Sequence, residues 1–328
     1  MAGIFANELF GAISGSAPAA AGTIGRAMLP MVAQTHGEKF ALGLFTSAGA
    51  LAIIMPPSIA MILFATATNA SIGALFLAGV IPAILIGFLL AVYVYFKSPR
   101  PGKDQRFDLA FALQSTLAGG PVLLFPVLVL GGIYSGLFTP TEAAAVSAIY
   151  AFILPCLIYR EMSFAQVVST MKETVKLTAQ IFILIAASTV FSQALAVAQV
   201  PAMLSEMFSG MDAFTFLLIL NVVLLIVGCF FDPTSAILVL APVTLPIAEK
   251  LGIDLLHLGI VFTVNLAIGM VTPPFGLNLF VIMSIFKKPL EVVARSVPPF
   301  IGVYIVALII ITYFPKLYLW LPNLWLGQ

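Results

Sequence analysis

Residues 259–280 read GIVFTVNLAIGMVTPPFGLNLF. The stretch is apolar and about the length that crosses a bilayer as a helix, roughly 20 residues, yet it carries Pro273 and Pro274 at its centre. Each proline removes an amide donor and disfavours helix in the residue before it. The helix must therefore break across Thr272-Pro273-Pro274-Phe275-Gly276. Residues 43–64, GLFTSAGALAIIMPPSIAMILF, break in the same way at Met55-Pro56-Pro57-Ser58. Lipid offers no hydrogen-bond partner to an open backbone, so two such breaks predict an all-α polytopic membrane protein with discontinuous helices.

The surroundings of the two breaks match. Upstream lie SGSAPAAAGTIGRAMLPM (residues 14–31) and FDPTSAILVLAPVTLPI (residues 231–247); downstream, spans begin near VIPAIL (from Val80) and VPPFIG (from Val297). Pro30 to Pro56 is 26 residues and Pro246 to Pro273 is 27, while Pro56 to Pro82 is 26 and Pro273 to Pro298 is 25. The spacing predicts two repeats, residues 1–106 and 107–328, each with a helical hairpin, a broken helix and a following scaffold helix. Clean spans are expected at 74–96, 118–137, 142–159, 177–199 and 296–315, interrupted ones at 1–34, 40–68, 213–248 and 255–286, and interfacial segments at 107–117 and 160–175.

Composition agrees. Of 328 residues, 62% are hydrophobic and 8% charged, against roughly 25% charged in soluble domains. The net charge of +1 gives no attraction for nucleic acid. Cys156 and Cys229 lie in apolar runs and read as inert thiols. MAGIFANELF at the N-terminus lacks the basic start of a signal peptide. Basic residues gather in cytoplasmic loops. Placing KSPRPGKDQR (97–106) in the cytoplasm and counting spans outward puts Arg26, Lys39, Arg160, Lys172, Lys176, Lys287, Lys288 and Arg295 on the same side, 12 of the 14 basic residues in all, with Lys250 and Lys316 opposite. The first hairpin then opens to the cytoplasm and the second to the outside. Such inverted repeats with discontinuous helices are a secondary-transporter architecture with its site at the midplane.

Candidate site residues follow from the breaks. Ser14-Gly15-Ser16-Ala17 forms one hairpin tip, where Gly permits unusual backbone angles; an ordinary Ser/Gly turn reads the same way. Asp232-Pro233-Thr234-Ser235 forms the other, where Asp232 is also a natural N-cap with proline at the first helical position. At the breaks, Pro56, Pro57, Ser58, Thr272, Pro273, Pro274, Gly276 and Asn278 leave free carbonyls, which suit a cation, and inward helix N-termini, which suit a carboxylate; structural kinks are the alternative. Thr46, Ser47, Thr263 and Asn265 add oxygens or helix–helix contacts. Thr139-Pro140-Thr141-Glu142 fits a structural capping box. His36 and His257 are expected at membrane edges. No paired catalytic carboxylates, nucleophile elbow or phosphate loop occurs, and the chain is not read as an enzyme.

As an ordered set, ISGSAPAAAGTIG, IIMPPSIAMI, TPTEAAAV, DPTSAILVLAPVTLPI and TPPFGLNLFV resemble the large membrane subunit of tripartite ATP-independent periplasmic (TRAP) transporters, the DctM-like family, over essentially the whole chain. The resemblance implies an elevator-type carrier in the bacterial inner membrane, importing a C4-dicarboxylate or related organic acid. It implies sodium as coupling ion and no other cofactor, a periplasmic solute-binding protein (DctP-like) and a small four-helix membrane subunit (DctQ-like). It places sodium at 14–17, 55–58, 232–235 and 272–278. A solitary sodium–carboxylate carrier of related architecture and a non-transporting scaffold or fragment are the competing readings. Repeat symmetry further predicts that about 100 residues precede Met1, since 125 residues (107–231) stand before the Asp-Pro tip in the second half and 13 before Ser14 in the first.

Overall fold

A computed structural model of the chain describes residues 1–98, 109–208 and 210–326. Among these the chain is helical, with no strand. It divides into two compact units, Met1–Ser98 with Leu184–Gln328, and Pro99–Ile183. The boundary expected at residue 106, and the basic residues Arg100, Lys103 and Arg106, lie outside the described residues.

The first unit opens with a hairpin, α1 (Ala2–Ser14) and α2 (Ala17–His36). Gly15 ends α1 in the left-handed region at φ 60° and returns its N–H to Gly11 O, a C-cap that glycine adopts without a Cβ penalty. Ser16 is extended and Pro18 sits in the first turn of α2, where its missing N–H is no loss. After Gly37 come α3 (Glu38–Gly49), α4 (Leu51–Ile54), the break at Met55–Ser58 and α5 (Ile59–Thr68). The two arms of this broken helix meet at 41°. α6 (Ile72–Lys97) follows, capped by the Ser71 hydroxyl, which accepts from Ala74 N at 3.3 Å.

In the second unit, α7 (Leu109–Tyr134) and α8 (Pro140–Ile153) pack through Tyr150 OH, which donates to Pro121 O at 2.7 Å. Thr139 and Glu142 form the capping box in full. A π-helical turn, Leu154–Ile158, extends α8. The segments expected to part into an interfacial stretch and a span are one 34-residue helix, α9 (Phe164–Val197). No Gly or Pro interrupts it, and Thr170, Thr174 and Thr178 return their hydroxyls to carbonyls four residues back at 2.9–3.0 Å. Local polarity is thus absorbed by the helix instead of ending it. Likewise α7 begins within the segment expected to be interfacial.

The first unit resumes at Leu184 within α9 and continues with α10 (Val200–Met207) and the second hairpin, α11 (Ala213–Gly228) and α12 (Pro233–Lys250). Next come α13 (Leu255–Gly269), the break at Met270–Gly276, α14 (Leu277–Phe286), α15 (Leu290–Ala294), α16 (Pro298–Tyr313) and α17 (Lys316–Leu326). The broken helices form the core of this unit. Every residue of α13 from His257 to Gly269 is buried, as are Ala41–Gly49 of α3 and the whole of α4. The uninterrupted α6 instead exposes Ile84, Phe88, Tyr95 and Phe96. Irregular backbone at membrane depth is tolerated only inside protein or along a cavity, which accounts for the inversion of roles.

His257, expected at a membrane edge, is buried in the protein: it is 3% exposed, and its Nδ1 lies 2.5 Å from the buried Tyr318 OH. Arg26 stands midway along the 20-residue α2. The ends of α2, α6 and α14 share one face, where His36 Nε2 meets Ser98 Oγ at 2.9 Å and Lys288 Nζ meets Glu38 Oε1 at 2.5 Å.

Candidate functional site

The two hairpin tips and the two helix breaks converge. A cavity of about 170 Å³ is walled by Gly15, Ser16, Ala17 and Pro18 of the first tip and by Asp232, Pro233 and Thr234 of the second. Ile53, Ile59 and Ala60 flank the first break, and Met270 and Leu277 the second, to complete the wall.

Each tip is shaped by its own sequence. At the first, a Cβ on Gly15 would approach Pro57 O to 2.7 Å, so the tip lies directly on the proline pair. Ser14 Oγ accepts from Ser16 N at 3.3 Å. At the second, Asp232 caps α12: its carboxylate accepts from Ser235 N at 3.2 Å and from Ser235 Oγ at 2.6 Å. Capping and cavity-lining therefore coincide in Asp232.

The breaks use their hydroxyls and amides differently. Pro56 and Pro57 return no N–H to the carbonyls of Ala52 and Ile53; Ser58 Oγ donates to Ile53 O and accepts from Met61 N at 3.4 Å. At the second break, Thr272 N takes Gly269 O at 3.0 Å, Asn278 N takes Met270 O at 3.0 Å, and Thr272 Oγ1 donates to Ile268 O at 2.7 Å. Phe275 N reaches across to Cys229 O in the second hairpin at 3.1 Å. That crossing needs two glycines: a Cβ on Gly269 would lie 2.5 Å from the Gly228 backbone.

Of the residues expected at the site, Gly15, Ser16, Ala17, Asp232 and Thr234 line the cavity. Ser14, Pro56, Pro57, Ser58, Ser235, Thr272, Pro273, Pro274, Gly276 and Asn278 are not in its wall; they shape the turns around it. Both proline pairs hold a cis peptide bond, at Pro56-Pro57 and Pro273-Pro274. Asn278 is fully buried and donates to Thr46 O at 3.0 Å, which ties the two broken helices together. Tyr304 OH donates to Ser47 O at 2.7 Å beside it. A further chain runs from Asn265 Nδ2 to Asn221 Oδ1 at 2.7 Å and from Asn221 Nδ2 to Thr312 Oγ1 at 3.1 Å. Ile53, Ile59, Met270 and Leu277 were not foreseen. They flank the predicted breaks, which was the signal available, but as apolar side chains they carry no chemical mark.

Two hairpins facing two interrupted helices around one small cavity define a membrane carrier of the inverted-repeat kind. Residues 1–317 match the family described as Tripartite ATP-independent periplasmic transporter, DctM component. The chain is similar to the C4-dicarboxylate TRAP transporter large permease protein DctM of Pseudomonas aeruginosa, at 41% identity over all of this chain and 78% of the relative. It is similar also to the ectoine/5-hydroxyectoine TRAP transporter large permease protein of Ruegeria pomeroyi, at 37% identity over 96% of this chain and 75% of the relative. The sialic acid TRAP transporter large permease protein of Vibrio cholerae is 36% identical over 99% of this chain and 77% of the relative. The chain belongs to the DctM family of TRAP transporter large permease subunits, multi-pass proteins of the inner membrane. The family is one of transporter subunits, not enzymes, and works with a small membrane subunit and a periplasmic binding protein.

Proposed function

We propose that this subunit imports an organic anion in symport with sodium, receiving it from a periplasmic binding protein and working beside a small membrane subunit. The observation that carries the reading is the meeting of both hairpin tips and both helix breaks on one cavity of about 170 Å³. The hydroxyls of Ser16 and Thr234 and the carboxylate of Asp232, all in the cavity wall, are hard oxygen donors of the kind hard cations prefer. The N-termini of α2, α5, α12 and α14 begin at or beside the cavity, and their partial positive charge favours a carboxylate close to the ion. A C4-dicarboxylate or a related carboxylate fits this arrangement, and the relatives' names extend to ectoine and sialic acid.

The test is uptake into proteoliposomes containing the subunit and its small partner, with the binding protein supplied outside. An inward sodium gradient is expected to raise the initial rate of succinate uptake at least tenfold over potassium, and omission of the binding protein to abolish it. Equal rates in the two salts, or uptake driven by a proton gradient alone, would remove sodium coupling. Undiminished uptake without the binding protein would favour the solitary carrier.

A further inference from the structure

A second opening adjoins the tip cavity. A groove of about 510 Å³ runs beside α2, lined by Pro18, Ala19, Gly22, Thr23, Arg26 and Ala27, with Ile285 of α14 opposite. Pro18 belongs to the walls of both, so the groove begins where the tip cavity ends.

Arg26 stands inside this groove. It is nine residues from Ala17 and ten from His36 within α2, about 14 and 15 Å from the two ends at 1.5 Å per residue. It is exposed and makes no hydrogen bond or ion pair among the described residues, whereas Lys288 and Arg295 are paired with Glu38 and Glu291. With the tips at the midplane, Arg26 lies near the edge of a hydrocarbon core about 30 Å thick. An unpaired guanidinium facing lipid there still carries a cost that water or an anion removes.

The rest of the exposed stripe indicates what the groove holds. On α2 it consists of Ala19, Thr23, Arg26, Ala27, Pro30, Met31, Gln34 and Thr35; on α11 it is Phe214, Leu218, Val222, Val223 and Ile226. The second is wholly apolar, whereas the first sets Thr23, Arg26, Gln34 and Thr35 among Ala19, Ala27, Pro30 and Met31. Thr23 precedes Arg26 by three residues and so shares its face, and its hydroxyl makes no hydrogen bond among the described residues.

We infer that this groove is a water-filled vestibule on the substrate path, and that Arg26 is its anion-selecting residue, taking one carboxylate of the substrate as it passes between the tip cavity and the His36 end of α2. The inference rests on the transport reading above. A guanidinium presents a planar fork that matches a carboxylate in two parallel hydrogen bonds, and Thr23 adds a donor one turn nearer the tips. Arg26 thereby favours anions over neutral solutes without contributing to the sodium site.

The test uses the assembled transporter in proteoliposomes, with Cys156→Ser and Cys229→Ser as background. Arg26→Cys is expected to react with a membrane-impermeant methanethiosulfonate, and saturating succinate to slow that reaction. Arg26→Gln is expected to raise the KM for succinate about tenfold or more, the scale of one lost charge-assisted contact, and Arg26→Lys to restore part of it. The sodium concentration for half-maximal uptake is expected to stay unchanged in both, which a merely distorted hairpin would not allow. Absence of reaction in the Arg26→Cys protein, or an unchanged KM in Arg26→Gln, overturns the inference while leaving sodium-driven uptake by the parent protein intact. If the parent protein shows no sodium-driven uptake, the transport reading falls separately. Calorimetric binding of succinate to the purified assembly then decides: tenfold weaker binding in Arg26→Gln upholds the anion site, and equal binding removes it.

Discussion

At the residue scale, the turn after the second break is closed by Gly276. A Cβ there would lie 2.6 Å from Met270 O and 3.0 Å from Thr272 N, and both are backbone atoms that cannot swing aside. Overpacking of this kind costs about 1–3 kcal/mol, and here it would displace Met270, which lines the cavity. Gly276→Ala is expected to lower the unfolding midpoint and abolish sodium-dependent uptake, while Gly302→Ala, with nothing within 4 Å, leaves both unchanged. Thermal unfolding of the purified subunit beside proteoliposome uptake checks this; a Gly276→Ala protein as active as the parent would show the turn to be tolerant. Single residues were legible where the backbone needs a particular type: Gly15, the proline pairs and Asp232 mark their own turns. Asn221, Tyr304 and Thr312 were not, because the atoms they bond lie 44 or more residues away. The partner of His257 was hidden for the same reason, since Tyr318 is 61 residues distant.

At the scale of elements, helices in lipid gain little from apolar contact with one another, so polar links and close approach decide how they assemble. The chain Asn265–Asn221–Thr312 joins α13, α11 and α16, and Asn278 joins α14 to α3. Such interhelical bonds average about 0.6 kcal/mol and reach about 1.7 kcal/mol in membranes. A double-mutant cycle on Asn221→Ala and Thr312→Val is therefore expected to show coupling of about 0.6 kcal/mol in the unfolding free energy. Asn278→Ala is expected to cost more, about 1–3 kcal/mol, because it strips the buried Thr46 carbonyl of its donor. Coupling near zero would mean that the links specify register alone. Element types and breaks were readable from proline placement and apolar length. The continuity of α9 was not, because threonine polarity reads as an interface until its i−4 bonds are seen.

At the scale of the whole molecule, the charge distribution that predicted orientation has a structural counterpart. The His36–Ser98 contact and the Glu38–Lys288 pair gather the ends of α2, α6 and α14 on one face, and Lys39, Lys97 and Lys287 adjoin those residues in sequence. These links join parts of the chain that the charge count had assigned to the same side without knowledge of any contact. The half-exposed Glu38–Lys288 pair adds at most about 1 kcal/mol, so it reports proximity more than it creates it. Arg26 stands within α2, and without it 11 of the other 13 basic residues still fall on the cytoplasmic side of the count, with Lys250 and Lys316 the two exceptions. On the orientation expected from the charge count, the two repeats take opposite senses and one hairpin opens to each compartment. In a background with Cys156 and Cys229 replaced by serine, Lys97→Cys is expected to react with an impermeant maleimide only when the cytoplasmic face is accessible. Lys250→Cys, exposed at the end of α12, is expected to react only from the periplasm. Reaction of both from one compartment would leave the two hairpins opening the same way, and an alternating-access cycle built on inverted repeats would lose its geometric basis.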